Sequence, residues 1–249
     1  FNEAVEAFNA TEGKNNNITV SASSLGSVND LEQNVMDALQ GKVGAQKVPD
    51  IFSAYADTAY AVDNMGRAAD LSPYLTDKDK KEYIQSYLTE GDFKDDGSIK
   101  VFPVAKATEL LVVNDTDWQK FAEATGTSAD EFATIEGLTA MAQRYYEWTD
   151  EQTPDVPDDG KAFYGRDSMS NYFIIGMKQM GKEIFQVKDG KMTLNTDEDL
   201  IRRLWDNYYV PYMKGYFASL GKFRSDDVKT GDILAYTGST SSAVYFPDT

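Results

Sequence analysis

Apolar residues recur along the chain at two spacings, and the spacing predicts the elements. A period near 3.6 predicts helices over Phe1–Ala10 (Phe1, Val5, Phe8; stop at Gly13) and Asn29–Leu39 (Leu31, Val35, Met36, Leu39). Further helices are expected over Asp57–Met65, ended by Gly66, and over Asp77–Leu88. Later in the chain come Trp118–Thr125 with a Gly126 stop, and Thr134–Trp148 with Leu138, Met141, Ala142 and Tyr145 on one face. Ser168–Met180 is dense in apolar and aromatic residues and reads as buried. Thr196–Val210, capped by Thr196 or Asp197, and a short Asp226–Lys229 complete the helices. Short β-rich runs predict strands at Ile18–Ala22, Pro49–Ser53 and Ile233–Tyr236. Ile184–Val187 and Lys191–Thr193 bracket Asp189-Gly190, a hairpin signal.

One stretch, Gly97–Thr116, organises the rest. Ile99, Val101 and Phe102 give a first strand candidate, and Leu110–Val113 a second, short enough to read as a buried strand. Between them lies the polar patch Lys106, Thr108 and Glu109. Such a patch suits a ligand-lined crossover between two lobes, or equally the solvated turn of an ordinary hairpin. Before it the order β-α-β-α implies a largely parallel sheet with covering helices, and after it helices dominate. The expected organisation is an α/β chain with a first α/β lobe over residues 1–108, incomplete, and a second, helix-rich lobe over 109–249. The chain opens inside a helix and stops at Phe246-Pro247-Asp248-Thr249 without a closing element, as an excised piece of a longer protein would.

Composition narrows the chemistry. The 249 residues suffice for two modest cores, and the 15 Tyr and 13 Phe argue against disorder. Net charge is −17, so phosphate backbones and anionic lipid surfaces would repel the chain, and nucleic-acid partners are not expected. There is no Cys and no His, which excludes disulfides, thiolate nucleophiles, Cys/His metal sites and His-based triads. Absence of Cys suits an extracytoplasmic bacterial protein. No apolar run is long enough to span a bilayer. Asp92, Asp95, Asp96 and Gly97 fail the calcium-loop spacing at Lys94, no phosphate-binding fingerprint occurs, and no cofactor is expected.

Four segments, in this order, carry a resemblance: Pro49–Tyr55 (PDIFSAY), Gly66–Leu75 (GRAADLSPYL), Phe102–Val104 with Thr108–Asn114 (TELLVVN), and Ile233–Gly238 (ILAYTG). Together they resemble the extracellular solute-binding proteins of family 1, the maltose-binding-like receptors of bacterial ABC importers. The resemblance spans essentially the whole chain and says nothing of the ligand. It implies a two-lobed periplasmic-binding-protein-like fold (type II), with Val104–Val113 as the first crossing strand and the return segment at the carboxyl end missing. It also implies an extracytoplasmic receptor tethered to the outer face of the membrane, monomeric at full length, with a small solute and ABC permease subunits as partners. Many family members carry Trp in the turn after the late strand; Gly238-Ser239-Thr240 stands there instead.

Ligand sites in open α/β sheets form at the carboxyl ends of strands. The candidates so placed are Ser24, after the first strand; Tyr55 and Asp57, after the second; and Tyr236, Gly238, Ser239 and Thr240, at the late strand. Tyr55 and Tyr236 would stack on the C–H face of a sugar or donate a phenol hydrogen bond. Asp57 would accept from hydroxyls, or only cap its helix. Thr108 and Glu109 would touch ligand from the crossing strand or serve as hinge polarity, and Tyr172 is a cleft or a core residue. Ser23-Ser24 and Ser239–Ser242 each precede an expected helix, so the two helix ends could clamp an anion, or the hydroxyls could simply cap. The leading expectation is a carbohydrate receptor that works by hinge closure. An anionic solute, a secreted acidic glycosidase, an interaction module and a fragment that folds without binding are the alternatives.

Overall fold

The computed structural model describes residues 1–188 and 191–245. The chain forms two compact units, Phe1–Lys106 and Ala107–Thr249.

The first unit is built from short helices, and no strand occurs among its described residues. The opening helix α1 (Asn2–Phe8) runs through a π-turn (Asn9–Gly13) into α2 (Lys14–Asn16), which Asn17 ends in the left-handed region at φ 55°. The expected strand at Ile18–Ala22 has no regular structure and forms no ladder with another segment among the described residues. Instead the side chain of Asn9 takes the place of a neighbouring strand: its Nδ2 donates to Val20 O and its Oδ1 accepts from Val20 N, each at 2.8 Å. The expected strands at Pro49–Ser53 and Ile99–Phe102 are likewise irregular. Strand residues need a second strand to satisfy their backbone. Here Ile99 N is taken by the Asp70 carboxylate at 3.0 Å, and Ile99 O by Leu71 N at 2.8 Å. Two capping boxes start α3 (Val28–Leu39) and α5 (Asp77–Glu82): Ser27 with Asp30, and Thr76 with Asp79. Between them α4 (Ala56–Asn64) buries Ala59, Val62 and Asp63, and α6 (Gln85–Leu88) follows α5 after a break at Tyr83.

In the second unit three strands form one sheet, β1 (Glu109–Val113), β5 (Ala235–Ser239) and β2 (Tyr164–Arg166), with β5 in the middle. β1 runs antiparallel to β5, Glu109 opposite Ser239, whereas β2 runs parallel to it, Tyr164 opposite Ala235. The expected buried strand β1 is in fact half open, with Leu110 52% exposed, because it lies at the edge. The hairpin pairs β3 (Phe185–Lys188) with β4 (Lys191–Leu194); its expected Asp189-Gly190 turn lies outside the described residues. Helices α7 (Asp115–Thr125), α8 (Ile135–Asp150), α9 (Met169–Gln179) and α10 (Glu198–Met213) begin at side-chain caps from Asn114, Thr134, Ser168 and Asp197. The shorter α11 (Arg224–Thr230) precedes β5. The core gathers on Phe163, wholly buried and in ring contact with Trp118, Phe121, Phe132 and Tyr145.

Candidate functional site

Within the second unit, Arg166, Asp167, Met169, Phe173, Trp205, Tyr208, Tyr209, Tyr212 and Ser219 line a pocket of about 360 Å³. It lies at the carboxyl end of β2, where ligand sites form in sheets with parallel strands. One wall comes from α10. Trp205, Tyr208, Tyr209 and Tyr212 recur at three- and four-residue steps and share a face. Trp205 and Tyr209 stack with centroids 4.8 Å apart, and Tyr208 and Tyr212 at 6.5 Å. Trp205 remains 49% exposed and Tyr209 44%, so aromatic surface is open to a ligand. Burial against the core pushes the Tyr208 hydroxyl up to about 12 from an ordinary value of 10.0.

The opposite end is polar. Arg166 is held by Glu109 in an ion pair whose side chains are about one-tenth exposed, and Asn171 Nδ2 donates to Glu109 Oε1 at 3.0 Å. Arg166 Nε donates to Ser168 O at 3.2 Å and its guanidinium lies 5.4 Å from the Tyr172 ring centre. The arginine charge is thus matched within the protein. Asp167 accepts from Arg224 N at 2.8 Å through Oδ1, and its own N donates to Thr237 O at 3.1 Å. Flat aromatic faces beside one carboxylate suit a solute with C–H faces and hydroxyls.

None of the residues expected from sequence lines this pocket. Glu109 reaches it only through Arg166. Tyr172 lies in the core, its hydroxyl donating to Leu204 O at 2.8 Å, and desolvation pushes that hydroxyl far up. Tyr236 is 1% exposed and hydrogen-bonded to Ser242 at 2.7 Å, so its ring offers no face for stacking. The segment after it opens no α-helix: β5 continues to Ser239 and a 3₁₀ turn follows over Thr240–Tyr245. Its hydroxyls are used locally, Ser241 Oγ donating to Ser239 Oγ at 2.9 Å and Ser242 Oγ to the Ser239 carbonyl oxygen at 2.7 Å, and no free helix end is left for an anion among the described residues there. Thr240 N donates to Thr108 O at 2.8 Å, which makes both residues part of the ladder's end. Gly238 is buried over Asp167. In the first unit, Ser24 is exposed and lies before the cap, because Ser27 starts α3. Tyr55, not Asp57, is the N-cap of α4; Tyr55 is 66% exposed and its N donates to Glu32 Oε1 at 3.1 Å. Asp57 sits in the first turn, where its charge favours the helix dipole.

The residues missed are those of α10. The signal the sequence offers for them is the run of Trp205, Tyr208, Tyr209 and Tyr212 at three- and four-residue steps on one helical face. Among the described residues no group of three acidic side chains is arranged to hold a metal ion.

The sequence profile of the bacterial extracellular solute-binding proteins matches residues 3–247. Among solved structures, UgpB from Mycobacterium tuberculosis, in complex with glycerophosphocholine, is 20% identical with a TM-score of 0.70, covering 98% of this chain and 57% of that one. The galacto-N-biose-/lacto-N-biose I-binding protein of an ABC transporter from Bifidobacterium longum, in complex with lacto-N-biose, is 15% identical with a TM-score of 0.72, covering 98% and 56%. The GacH receptor of Streptomyces glaucescens, solved unliganded and with acarbose, is 14% identical with a TM-score of 0.68, covering 96% and 57%. The chain therefore spans a little over half the length of these relatives, and the likeness is one of fold, that of the two-lobed binding proteins. No curated protein matches.

Proposed function

The chain belongs to the bacterial extracellular solute-binding protein family, and from that premise we propose that it serves an ABC importer as the receptor for a small neutral solute, foremost a carbohydrate. The observation that carries this reading is the pocket walled by Trp205, Tyr208, Tyr209 and Tyr212 and closed at one end by Asp167. Pyranose rings have apolar C–H faces that stack on such aromatic surfaces, and their hydroxyls donate to carboxylates. An anionic solute would instead meet Asp167 while Arg166 is already paired with Glu109. The receptor would act outside the cytoplasm, tethered at the membrane face, as a monomer that delivers solute to permease subunits. Capture would follow the family's mode, hinge closure, in which the ligand stabilises the closed state by the contacts it gains there.

A thermal-shift and calorimetric screen tests the reading. The neutral arm is maltose, lactose and β-1,6-galactobiose; the anionic arm is lactobionate and glucose 6-phosphate. At least one neutral disaccharide is expected to raise the melting temperature, since saturation at a hundred times Kd stabilises the native state by about 2.7 kcal/mol. Trp205→Ala is expected to weaken that binding at least tenfold. Binding of anions alone, or full affinity in Trp205→Ala, would overturn the assignment.

A further inference from the structure

We propose that Arg224, which does not itself line the pocket, is the residue that positions Asp167 as a hydroxyl acceptor, and that this arrangement makes the pocket discriminate against anionic solutes. The proposal rests on the saccharide reading above and adds to it the source of selectivity.

Arg224 is 2% exposed. A buried guanidinium must have its charge and its donors matched. Its outer end is held by charge and by one hydrogen bond: Nη1 lies 2.7 Å from Asp227 Oδ2 as an ion pair without hydrogen-bond geometry, and Nη2 donates to Gly221 O. Asp227 is equally buried and is held by Gly221 N at 2.6 Å and Leu220 N at 3.2 Å. The arginine therefore cannot swing away. The residue meets Asp167 twice: its backbone N donates to Oδ1 at 2.8 Å, and the guanidinium Nε stands 3.7 Å from the same oxygen, an ion-pair contact longer than a hydrogen bond. Oδ2 accepts no hydrogen bond from the described residues and is left for a ligand.

Two glycines make the arrangement possible. A methyl group at Gly165 would stand 2.8 Å from Arg224 Cδ, and one at Gly238 would collide with Asp167 Oδ2. Charge accounting gives the selectivity. Arg166 and Glu109 cancel. Arg224 is shared by two carboxylates, Asp227 and Asp167, so one negative charge is left over. It rests on Asp167, whose side chain is 25% exposed against 3% for Asp227. A carboxylate held rigidly at the pocket wall accepts hydroxyls without first paying to become ordered, and repels phosphate or carboxylate groups.

A double-mutant cycle on the full chain tests this, with the disaccharide that the wild type binds most tightly in the neutral panel as probe and lactobionate as the anion. Lysine keeps the charge but is a point donor that would follow Asp227 and leave Asp167 without its guanidinium edge. Arg224→Lys is expected to weaken disaccharide binding about tenfold in the native background and to have no further effect in Asp167→Asn. Asp167→Asn is expected to abolish most of the preference for the neutral sugar over lactobionate. If Arg224→Lys does not fold, as judged by near-ultraviolet circular dichroism, the paired Arg224→Met with Asp227→Asn, which removes both buried charges, takes its place in the same cycle. A loss of equal size in both backgrounds, no loss at all, or discrimination that survives Asp167→Asn overturns the proposal while the saccharide reading stands. Failure of the wild type to bind any neutral disaccharide overturns both.

Discussion

Gly165 is the middle residue of β2, next to the pocket-lining Arg166, and its lack of a side chain is a packing requirement. A Cβ there would lie 2.5 Å from the Ala218 carbonyl oxygen and 2.8 Å from Arg224 Cδ. The first of these is backbone, so neither can yield freely. Gly165→Ala is therefore expected to destabilise the chain by about 2 kcal/mol, in the range for overpacked cores, measured as a lowered urea midpoint at constant slope. An unchanged midpoint would mean that the strand shifts at little cost. At this scale the sequence disclosed residue types well and their surroundings poorly. Tyr55 and Tyr236 are the same amino acid after similar apolar runs, yet one is 66% exposed and the other 1%. The difference arises because Tyr236 lies on the middle strand with a neighbour on each side, whereas Tyr55 stands at a helix start. Spacing along the chain carries neither fact.

Helix α10 contains Pro211, which has no N–H to give to Asn207 O one turn earlier. The helix persists because that carbonyl has another donor: Thr139 Oγ1, from α8, at 3.3 Å. Ion pairing adds to the same contact, with Glu136 Oε1 accepting from Arg203 Nη2 at 2.6 Å and Asn207 Nδ2 at 3.1 Å. Removing the hydroxyl leaves a partly buried carbonyl without a partner. Thr139→Val is expected to cost about 1 kcal/mol and Thr139→Ser to recover most of it, read by chemical denaturation. A loss that serine does not recover would place the effect in methyl packing instead. Elements of this kind were largely legible beforehand. The helices α7 to α10 announce themselves through local periodicity, and α10 also through its cap Asp197, whereas Asn114 reads along the chain as the end of a strand and the structure makes it the cap that starts α7 at Asp115. The strands expected at Ile18–Ala22 and Pro49–Ser53 did not form, because a strand is defined by its partner and none is present among the described residues of that unit. A helix satisfies its own backbone; a strand must borrow from elsewhere.

Taken whole, the chain carries 41 acidic and 24 basic residues and an aromatic interior. The aromatic interior gives its stability a dependence on alkaline pH. Desolvation pushes the hydroxyls of Tyr145 and Tyr208 up to about 12, from an ordinary value of 10.0. In the unfolded chain both ionise first, so their contribution is complete below pH 10 and is lost as pH rises through 12. The urea midpoint is expected to fall steadily across that window, and Tyr145→Phe to flatten the fall. A midpoint that Tyr145→Phe leaves just as steep would place the loss in other groups. Family and fold likewise belong to this scale, since the profile of the family runs over residues 3–247 while identity to the solved relatives reaches only 20%. Many weak matches in order identified the family where no single residue did.

By itself the sequence determined the helices of the second unit, the family and the limits on chemistry, since these depend on local periodicity, on order and on which residue types are present at all. The complete absence of Cys and His needed no coordinates to exclude thiolate and imidazole chemistry. Tertiary structure alone decided where the pocket is. Its walls come from segments between Arg166 and Ser219 that meet only on folding, and its charge depends on Arg224 and Glu109, which lie outside it. A cavity is the space that packed neighbours leave unfilled, and the charge presented in it is what their pairing leaves uncancelled; both are properties of three-dimensional contact.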